Sequence, residues 1–282
     1  MVNMSRVALI TGASSGIGAA IALEMARVGH YALALTSNES KNLATVGQQC
    51  LTEGAKEVHL MVKDLMDLNQ CQDLVSETVE HFKKMDVFVS CAGMSQGAQD
   101  IEDKCLKGVE NVMRLNYLSP LAVTQKALPH LLKTRGSILY IGSTLGTISS
   151  SGVIDYAASK SALHSMAQNV AQEYSATGIR VNVLAPGAIA TELFNDIMGA
   201  ASPEQLDEFG SLIIPMGRLG RAQEIGHLAE FLVSDKNMYM TGSVIKVDGG
   251  QANDKKAGQF RAGEFMRAVE MEAANKKGLI VN

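Results

Sequence analysis

The chain has 282 residues, 46% of them apolar, so it can bury a large core, and single α/β domains reach this size. Its formal charge of −4 at pH 7 argues against a general nucleic-acid binder or a membrane-surface binder, because both partners are anionic. The cysteines lack C-x-x-C spacing, which predicts no bound metal, no disulfide framework and a cytoplasmic protein with reduced thiols at Cys50, Cys71, Cys91 and Cys105.

Seven short apolar runs alternate along the chain with longer stretches of helical periodicity. Most of the runs are continuous rather than alternating, as expected when helices cover both faces of a parallel sheet. The pattern predicts an α/β fold with one doubly wound parallel sheet of seven strands and helices on both faces. The predicted strands are residues 7–10, 31–35, 58–62, 87–89, 138–141, 181–184 and 244–247.

The first predicted strand runs into a glycine-rich loop, T-G-A-S-S-G-I-G from Thr11 to Gly18. A helix begins within this loop, with an apolar stripe that starts at Ile17, and Gly29 is suited to end it. Glycines at such a turn let a pyrophosphate approach backbone N–H groups at a helix N-terminus. The alternative is a tight turn that binds no ligand, but strand, loop and helix occur in the order that binding requires. The predicted contacts are Gly12, Ser14, Ser15, Gly16, Ile17 and Gly18.

The end of the second strand is where dinucleotide-binding folds distinguish NAD from NADP. Thr36, Ser37 and Asn38 stand there. None of them is acidic, so nothing repels a 2′-phosphate, and no arginine stands at Ser15 or Ser37 to attract one. Their hydroxyl and amide groups can bind either form, and NADP(H) is slightly favoured over NAD(H). The same residues could also cap the next helix, which is compatible with both cofactors.

Tyr156 and Lys160 stand four residues apart in a segment of helical periodicity, so their side chains share one face. A free tyrosine has a pKa near ~10, and an adjacent ammonium is expected to lower it by favouring the phenolate. Ser143 follows the fifth strand, at the sheet edge where ligands of doubly wound folds bind, and its hydroxyl can hold a substrate oxygen. The alternative is a surface tyrosine with a solvated lysine, and a Ser143 or Thr144 that merely caps a loop.

The spacing T-G-x-x-x-G-x-G, together with Ser143 and the Tyr156/Lys160 pair, resembles the short-chain dehydrogenase/reductase family over residues 6–250. This resemblance implies a Rossmann-type fold and an NAD(P)-dependent oxidoreductase acting on CH–OH groups. Tyr156 would give a proton to the substrate oxygen while a hydride reaches the carbon, and oxidation would reverse both steps. Members of the family are usually tetramers, so a homotetramer is expected.

The resemblance also implies roles for residues that the pattern alone does not select. Asn116 matches the fourth catalytic member, which holds a water relay beside the lysine, and Asp64 with Leu65 matches the adenine contact. Where the family has N-N-A-G, this chain has Ser-Cys-Ala-Gly from Ser90, so amide hydrogen bonds that would brace the strand are absent. Cys91 is expected to be a small buried residue rather than a reactive one. The other expected cofactor contacts are Cys91, Ala92, Gly93, Tyr156, Lys160, Pro186, Gly187, Ile189 and Thr191.

The substrate is predicted from residues 215–220, P-M-G-R-L-G, which look like the same stretch of 3-oxoacyl-[acyl-carrier-protein] reductases. A 3-oxoacyl thioester is therefore the leading substrate, and acyl carrier protein, within fatty acid biosynthesis, is a candidate partner. Thr177 stands where those reductases have a second arginine, which weakens the assignment, and Arg180 is not expected to replace it. One predicted helical face offers a basic dock or, alternatively, complements the helix dipole: Lys126, His130 and Lys133, with Arg135 just beyond.

Two other functions stay open. The first is a dehydrogenase of a steroid, a polyol or another small secondary alcohol. The second belongs to a different class, a regulator that binds the cofactor but performs no chemistry. The intact Ser143, Tyr156 and Lys160 argue against that regulator.

The expected organisation is one dinucleotide-binding catalytic domain over residues 1–250 and a tail over residues 251–282. Residues 191–218 are expected to form a helical excursion that could serve as a lid. Strand-like sequence begins at Arg6, and no apolar run approaches the ~18 residues of a membrane span, so neither a signal peptide nor a membrane helix is predicted. The tail is expected to contain an amphipathic helix with the apolar stripe Phe265, Met266, Val269 and Ala273.

Overall fold

The computed structural model describes residues 5–198 and 201–253. Seven strands form one sheet in the order β3-β2-β1-β4-β5-β6-β7, and every neighbouring pair is parallel. The predicted fold class and all seven predicted strands are confirmed, and the strand ends differ by two residues at most. The strands are β1 (Arg6–Thr11), β2 (Tyr31–Ser37), β3 (Glu57–Val62), β4 (Val87–Ser90), β5 (Ser137–Ile141), β6 (Arg180–Pro186) and β7 (Val244–Val247).

Helices lie on both faces of this sheet. One face is covered by the first, second and ninth helices, and the other by the third, fifth and sixth, each with its own apolar core. Within the described ranges the helices are α1 (Gly16–Val28), α2 (Ser40–Glu53), α3 (Leu68–Phe82), α4 (Leu106–Met113), α5 (Ser119–Thr134), α6 (Ile154–Tyr174), α7 (Glu192–Ile197), α8 (Pro203–Ile213) and α9 (Ala222–Val233).

The continuous apolar character of the strands follows from this double cover. On β1, Ala8 and Ile10 pack into the core beneath α1, while Leu9 between them packs into the core on the opposite face. Successive side chains of a strand point to opposite faces, so a central strand with two buried faces needs apolar residues at every position. The predicted end of α1 is also confirmed, because Gly29 adopts a left-handed conformation with φ of 77°.

The strand order creates a crevice at the carboxyl ends of β1 and β4. From β1 the chain first builds outward to β2 and β3, and it then returns to place β4 on the other side of β1. The loops after β1 and β4 therefore leave toward opposite faces of the sheet. Doubly wound folds bind ligands at this kind of switch point, so the topology positions a site there.

Residues 191–218 contain two helices, α7 and α8, as the sequence predicts. A small third core holds them together, with Phe194 of α7 against Phe209 of α8 at a ring-centroid distance of 5.6 Å. Ser202 caps α8 by accepting a hydrogen bond from the backbone N–H of Gln205, and it forms a capping box with that residue. The excursion therefore has its own apolar support above the sheet edge.

Two arginines stabilise the opposite, amino edge of the sheet. Arg6 at the start of β1 donates to the carbonyl oxygen of Val233 at 2.8 Å. Arg180 at the start of β6 donates to the carbonyl oxygens of Leu232, Val233 and Ser234. These carbonyls end α9, where cations complement the helix dipole. Arg180 is thus committed to the scaffold, in agreement with the prediction that it does not replace the missing arginine at Thr177.

The predicted amphipathic stripe of the tail, Phe265 to Ala273, lies outside the described residues. Of the tail, the structure describes a single helical turn over Gln251–Asn253. In residues 5–198 and 201–253, no helix has the length and apolar character needed to cross a bilayer.

Candidate active site

A cavity of about 730 Å³ opens at the carboxyl edge of the sheet. The loops that follow β1, β4, β5 and β6 form its walls, as the strand order predicts. Every predicted catalytic and cofactor-binding residue lines this cavity except Thr36 and Asn116. Most of the residues predicted from the sequence therefore lie together on the wall of this one cavity.

The glycine loop closes one end of the cavity with bare backbone. Gly12 has φ of 65°, and a Cβ on it would lie 2.8 Å from Cα of Ala92. A Cβ on Gly18 would lie 2.0 Å from the carbonyl oxygen of Gly12. Ser15 is the N-cap of α1, and among the described residues no side chain caps the first turn of this helix. Its orphan N–H groups beside a cavity fit the pyrophosphate of a dinucleotide.

The end of β2 brings only some of its predicted contacts to the cavity. Thr36 does not line the cavity; its Oγ1 is buried and has no hydrogen-bond partner in the described part of the chain. Its carbonyl oxygen instead accepts a 3.0 Å hydrogen bond from the N–H of Ala13. The next residue, Ser37, does reach the cavity and donates to the hydroxyl of Ser14 at 2.8 Å. Neighbouring strand residues point to opposite faces, so only one of these two side chains can face the cavity.

Charges at this end of the cavity are more negative than the sequence indicates. Glu39, which the sequence analysis missed, lines the wall together with Lys63 and Asp64. The ammonium of Lys63 is paired with the carboxylate of Glu77. Asp64 accepts the N–H of Met66 at 2.9 Å, which fixes its carboxylate at the wall.

Residues 91–93 form the wall that follows β4. The hydroxyl oxygen of Thr11 accepts hydrogen bonds from the backbone N–H groups of Cys91 at 3.1 Å and of Ala92 at 3.3 Å. Thr11 thus braces this segment, although the amides of the N-N-A-G pattern are absent. Cys91 is only half-buried, because it lines the cavity, so the expectation of a buried residue is met in part. Loss of hydration raises the pKa of its thiol to about 12, so the thiol stays neutral and unreactive, as expected.

Ser143, Tyr156 and Lys160 converge at the floor of the cavity, with the last two on α6. Nζ of Lys160 lies 5.5 Å from the ring centroid of Tyr156 and donates to the carbonyl oxygen of Ile141 at 2.9 Å. Oγ of Ser143 accepts the N–H of Leu145 at 3.2 Å and lies near enough to the phenol of Tyr156 to act on its pKa. The predicted shared helix face is confirmed.

The expected direction of the Tyr156 pKa shift is wrong for the protein alone. Burial raises the pKa of the phenol to about 12, although the hydrogen bond from Ser143 acts in the opposite direction. Burial also lowers the pKa of Lys160 to about 8. The phenol is therefore held protonated at neutral pH, which is the form that can donate a proton to a substrate oxygen.

Asn116 supports the site from behind rather than lining it. It lies in a π-helical turn, Arg114–Leu118, which joins α4 to α5. Its amide exchanges two 2.9 Å hydrogen bonds with the backbone of Met94 and donates a third, also of 2.9 Å, to Ser159. Ser159 in turn donates to the carbonyl oxygen of Tyr156 at 2.7 Å. Asn116 thus ties the loop after β4 to the helix that carries the tyrosine.

The loop after β6 forms the remaining wall. A Cβ on Gly187 would lie 2.7 Å from Cβ of Asp248, so packing alone requires glycine there. Thr191 caps α7 by accepting the N–H of Phe194 at 3.3 Å. Its methyl group would lie 3.4 Å from a Cβ on Gly16, so this cap lies directly beside the glycine loop.

The sequence analysis missed the apolar half of the cavity. Met94, Leu145 and Val153 line it near Ser143, and side chains of α7 and α8 line it from above. The upper residues are Leu193, Phe194, Ile197, Met198, Phe209 and Ile213. Their only sequence signal was the prediction of a helical excursion over residues 191–218. The described residues contain no group of three or more His, Cys, Asp or Glu side chains arranged to hold a metal ion.

Comparisons with known proteins agree with this geometry. The family model described as enoyl-(acyl carrier protein) reductase matches residues 12–252. The chain is 35% identical to 3-oxoacyl-[acyl-carrier-protein] reductase of Thermotoga maritima, covering 87% of this chain and 97% of that protein. It is 32% identical to L-fucose dehydrogenase of Bos taurus, covering 92% and 94%. The crystal structure of levodione reductase superposes with a TM-score of 0.83 at 31% identity, covering 88% and 98%.

The family model extends over the glycines of the loop, the serine, the tyrosine and the lysine, and over strands β2 to β7. They leave the substrate undetermined, because the similar proteins act on different ones. The members of this group bind NAD(P)(H) and act on secondary alcohols or ketones. The chain belongs to the short-chain dehydrogenase/reductase family of oxidoreductases.

Proposed function

We propose that this protein reduces a ketone to a secondary alcohol, with Tyr156 as the proton donor. The observation that carries the proposal is the buried, protonated phenol of Tyr156, which lies beside Ser143 at the floor of a cavity large enough for a cofactor and a substrate. When bound, the nicotinamide supplies or accepts the hydride. The chain contributes orientation of the substrate and the proton.

Each residue of the floor has a separate task in this proposal. The hydroxyl of Ser143 holds the substrate oxygen beside the phenol, and Tyr156 passes its proton to that oxygen. Lys160 is anchored on the carbonyl oxygen of Ile141, so its charge lies close to the phenolate that forms. Asn116 keeps the wall at Met94 and the helix of Tyr156 in register through Ser159.

The apolar half of the cavity favours a substrate with an apolar arm. Its walls near Tyr156 carry Met, Leu, Val, Ile and Phe side chains, and the charged residues at this end are Lys160 and Glu192. A polyol or a sugar needs several hydrogen-bonding groups around its hydroxyls, whereas an acyl chain or an alicyclic ketone needs apolar contact. A 3-oxoacyl thioester is the leading substrate, and a steroid or a similar apolar alcohol is the second candidate.

The carrier-protein partner depends on the basic face of α5. Burial, together with the charges of Lys133 and Lys126, lowers the pKa of His130, so this histidine is neutral at pH 7. Two ammonium groups and the adjacent Arg135 remain to attract an acidic partner. We therefore propose that any docking of acyl carrier protein on this face relies on the lysines and Arg135 and not on His130.

For the cofactor, the charge at the ribose end supports NAD(H) over the slight sequence preference for NADP(H). Glu39 and Asp64 line that wall, and the one lysine beside them, Lys63, is neutralised by Glu77. A 2′-phosphate would meet net negative charge there. The homotetramer expected from the family stays a prediction, and light scattering after size-exclusion chromatography would test it.

The deciding experiment follows oxidation of NADH and NADPH, by their absorbance, with acetoacetyl thioesters, an alicyclic diketone and simple sugars. Turnover of the thioester or the diketone, and little with sugars, supports the proposal. A regulator without chemistry would bind NADH in a fluorescence titration yet leave every carbonyl unreduced. That combination of results would contradict the assignment of Tyr156 as a proton donor.

A further inference from the structure

His164 is a buried histidine on α6 that the proposed reaction does not use. It stands one turn after Lys160, is 5% exposed, and turns its ring toward the loop that follows β5. A Cβ on Gly142 would lie 2.2 Å from Nε2 of His164, and a Cβ on Gly146 would lie 2.5 Å from Cε1. The ring is therefore wedged between the two glycines that flank Ser143 and Thr144.

The ring also makes a polar contact with the serine. The backbone N–H of Ser143 donates to Nε2 of His164 at 3.4 Å. Nε2 must therefore carry a lone pair, which places the ring proton on Nδ1. Nδ1 is buried and lacks a hydrogen-bond partner in residues 5–198 and 201–253. In the described part of the chain, the hydrogen bond of this imidazole is therefore the one to the backbone of Ser143.

A charged ring would not suit this contact. An imidazolium has N–H groups at both nitrogens, so its Nε2 would face the N–H of Ser143 donor to donor. Burial and the charge of Lys160 lower the pKa of His164 to about 4, so the ring is neutral throughout the physiological range. The acceptor at Nε2 is therefore present under all working conditions.

We propose that His164 is a positioning residue for Ser143: its neutral ring, accepting at Nε2, fixes the backbone that aims the serine hydroxyl at Tyr156. This inference rests on the proposed reductase function. Tyr156, Lys160 and His164 are spaced four residues apart, so they follow one another along one face of α6. One helix face thus carries the proton donor, its ammonium neighbour and the support of the substrate-binding serine.

The test compares two substitutions that separate packing from hydrogen bonding. In His164→Gln the amide oxygen can reach the position of Nε2 and accept the Ser143 N–H, whereas His164→Leu fills space but accepts nothing. For His164→Leu we expect kcat to fall ~10- to 100-fold, because small displacements of a positioned group have effects of that size. For His164→Gln we expect kcat within ~3-fold of wild type. Met166→Leu, a volume-conserving change on the same helix, is the matched control.

Binding of NADH and thermal unfolding accompany these rates. The dissociation constant for NADH should stay within ~2-fold in all three variants, since the glycine loop is untouched. A folded His164→Leu variant with wild-type kcat overturns the proposal. So does a His164→Gln variant that loses as much kcat as His164→Leu, because the loss would then come from packing alone.

A spectroscopic measurement is independent of turnover. Nitrogen NMR of protein labelled at its six histidines, with His164→Gln used for assignment, reports which ring nitrogen carries the proton. A neutral ring protonated at Nδ1 is expected from pH 8 down to pH ~5. Protonation at Nε2 overturns the proposal even if no ketone is ever reduced. Failure of the wild type to reduce any ketone would instead contradict the proposed function.

Discussion

Nζ of Lys160 donates a 2.9 Å hydrogen bond to the carbonyl oxygen of Ile141, the last residue of β5. This contact holds an ammonium in a site where it is 3% exposed, directly below Tyr156. Burial lowers the pKa of Lys160 to about 8, so the folded protein bears a free-energy cost for keeping it charged. We infer that Lys160 serves the reaction and lowers the stability of the folded protein.

Lys160→Met should therefore stabilise the protein while abolishing turnover. Below pH ~8 Lys160 is charged in both the folded and the unfolded protein, and burial of this charge destabilises the folded protein. Between pH ~8 and ~10.4 the lysine is charged mainly in the unfolded chain, which therefore binds more protons. The stability of the wild type rises with pH over this range. At pH 7 the variant should gain about 1–3 kcal/mol in the free energy of unfolding, and the gain should vanish near pH ~10.4. Urea denaturation at pH 7 and pH 10 measures both, and destabilisation at pH 7 would contradict the argument.

Tyr156→Phe should fold, bind NADH normally and lose ~10²- to 10⁴-fold in kcat, because only the proton donor is removed. In the wild type, oxidation of the alcohol needs the phenolate, and burial raises the pKa of this phenol to about 12. The oxidation rate should therefore rise with pH from 7 to 10. Steady-state kinetics in both directions tests this prediction; near-normal turnover of the phenylalanine variant would remove Tyr156 from its role.

A buried ion pair beside the active site should matter far more for stability than a surface pair on the same segment. Nζ of Lys104 lies 2.9 Å from Oδ1 of Asp155, with side-chain exposures of 4% and 0%, and Gln96 donates to Oδ2 at 3.0 Å. Burial works against the charge of Asp155, yet the ammonium of Lys104 and the hydrogen bond from Gln96 hold its pKa below the usual value. Removal of one partner leaves the other charge buried and unpaired.

Lys104→Met should accordingly cost about 3–5 kcal/mol of unfolding free energy. Lys107→Met is the control, because Lys107 and Glu110 form a 3.1 Å pair whose side chains are 76% and 68% exposed. That change should cost less than about 1 kcal/mol. Chemical denaturation compares the two variants, and equal losses would show that burial does not decide the outcome.

Glu39→Gln should shift cofactor preference toward NADPH. The carboxylate lines the ribose end of the cavity, so its removal should lower the dissociation constant for NADPH by about 2- to 5-fold and change that for NADH less than 2-fold. Glu102→Gln changes the net charge equally but lies on an exposed turn away from the cavity. If the dissociation constant for NADPH falls equally in both variants, the cause is the change in net charge and not the position of Glu39.

Much of the fold could be predicted from the sequence, because a sheet that is buried on both faces requires strands with continuous apolar runs. β1 is apolar at each of residues 7–10, and α1 ends at a glycine with the left-handed conformation that favours this residue. The catalytic set was also readable, because Tyr156 and Lys160 are four residues apart on one helix. Local spacing is sufficient for features of this kind.

The remaining features depend on burial and on distant contacts. Thr36 and Ser37 both carry hydroxyl groups, and only the register of β2 decides which side chain faces the cavity. The sign of the Tyr156 pKa shift depends on how far burial outweighs its polar neighbours, which spacing does not report. Lys104 and Asp155 are 51 residues apart in the sequence and meet only in the folded chain.

The arginine clamp formed by Arg6 and Arg180 has a consequence for engineering. In a parallel sheet every strand begins at the clamped edge and ends beneath the cavity. Substitutions should therefore be tolerated better at the cavity end of the strands than at the clamped end. Libraries that diversify α7 and α8 can therefore yield variants that accept new ketones while the free energy of unfolding stays close to that of the wild type. Substitutions near the clamp would lower the free energy of unfolding without altering substrate selectivity.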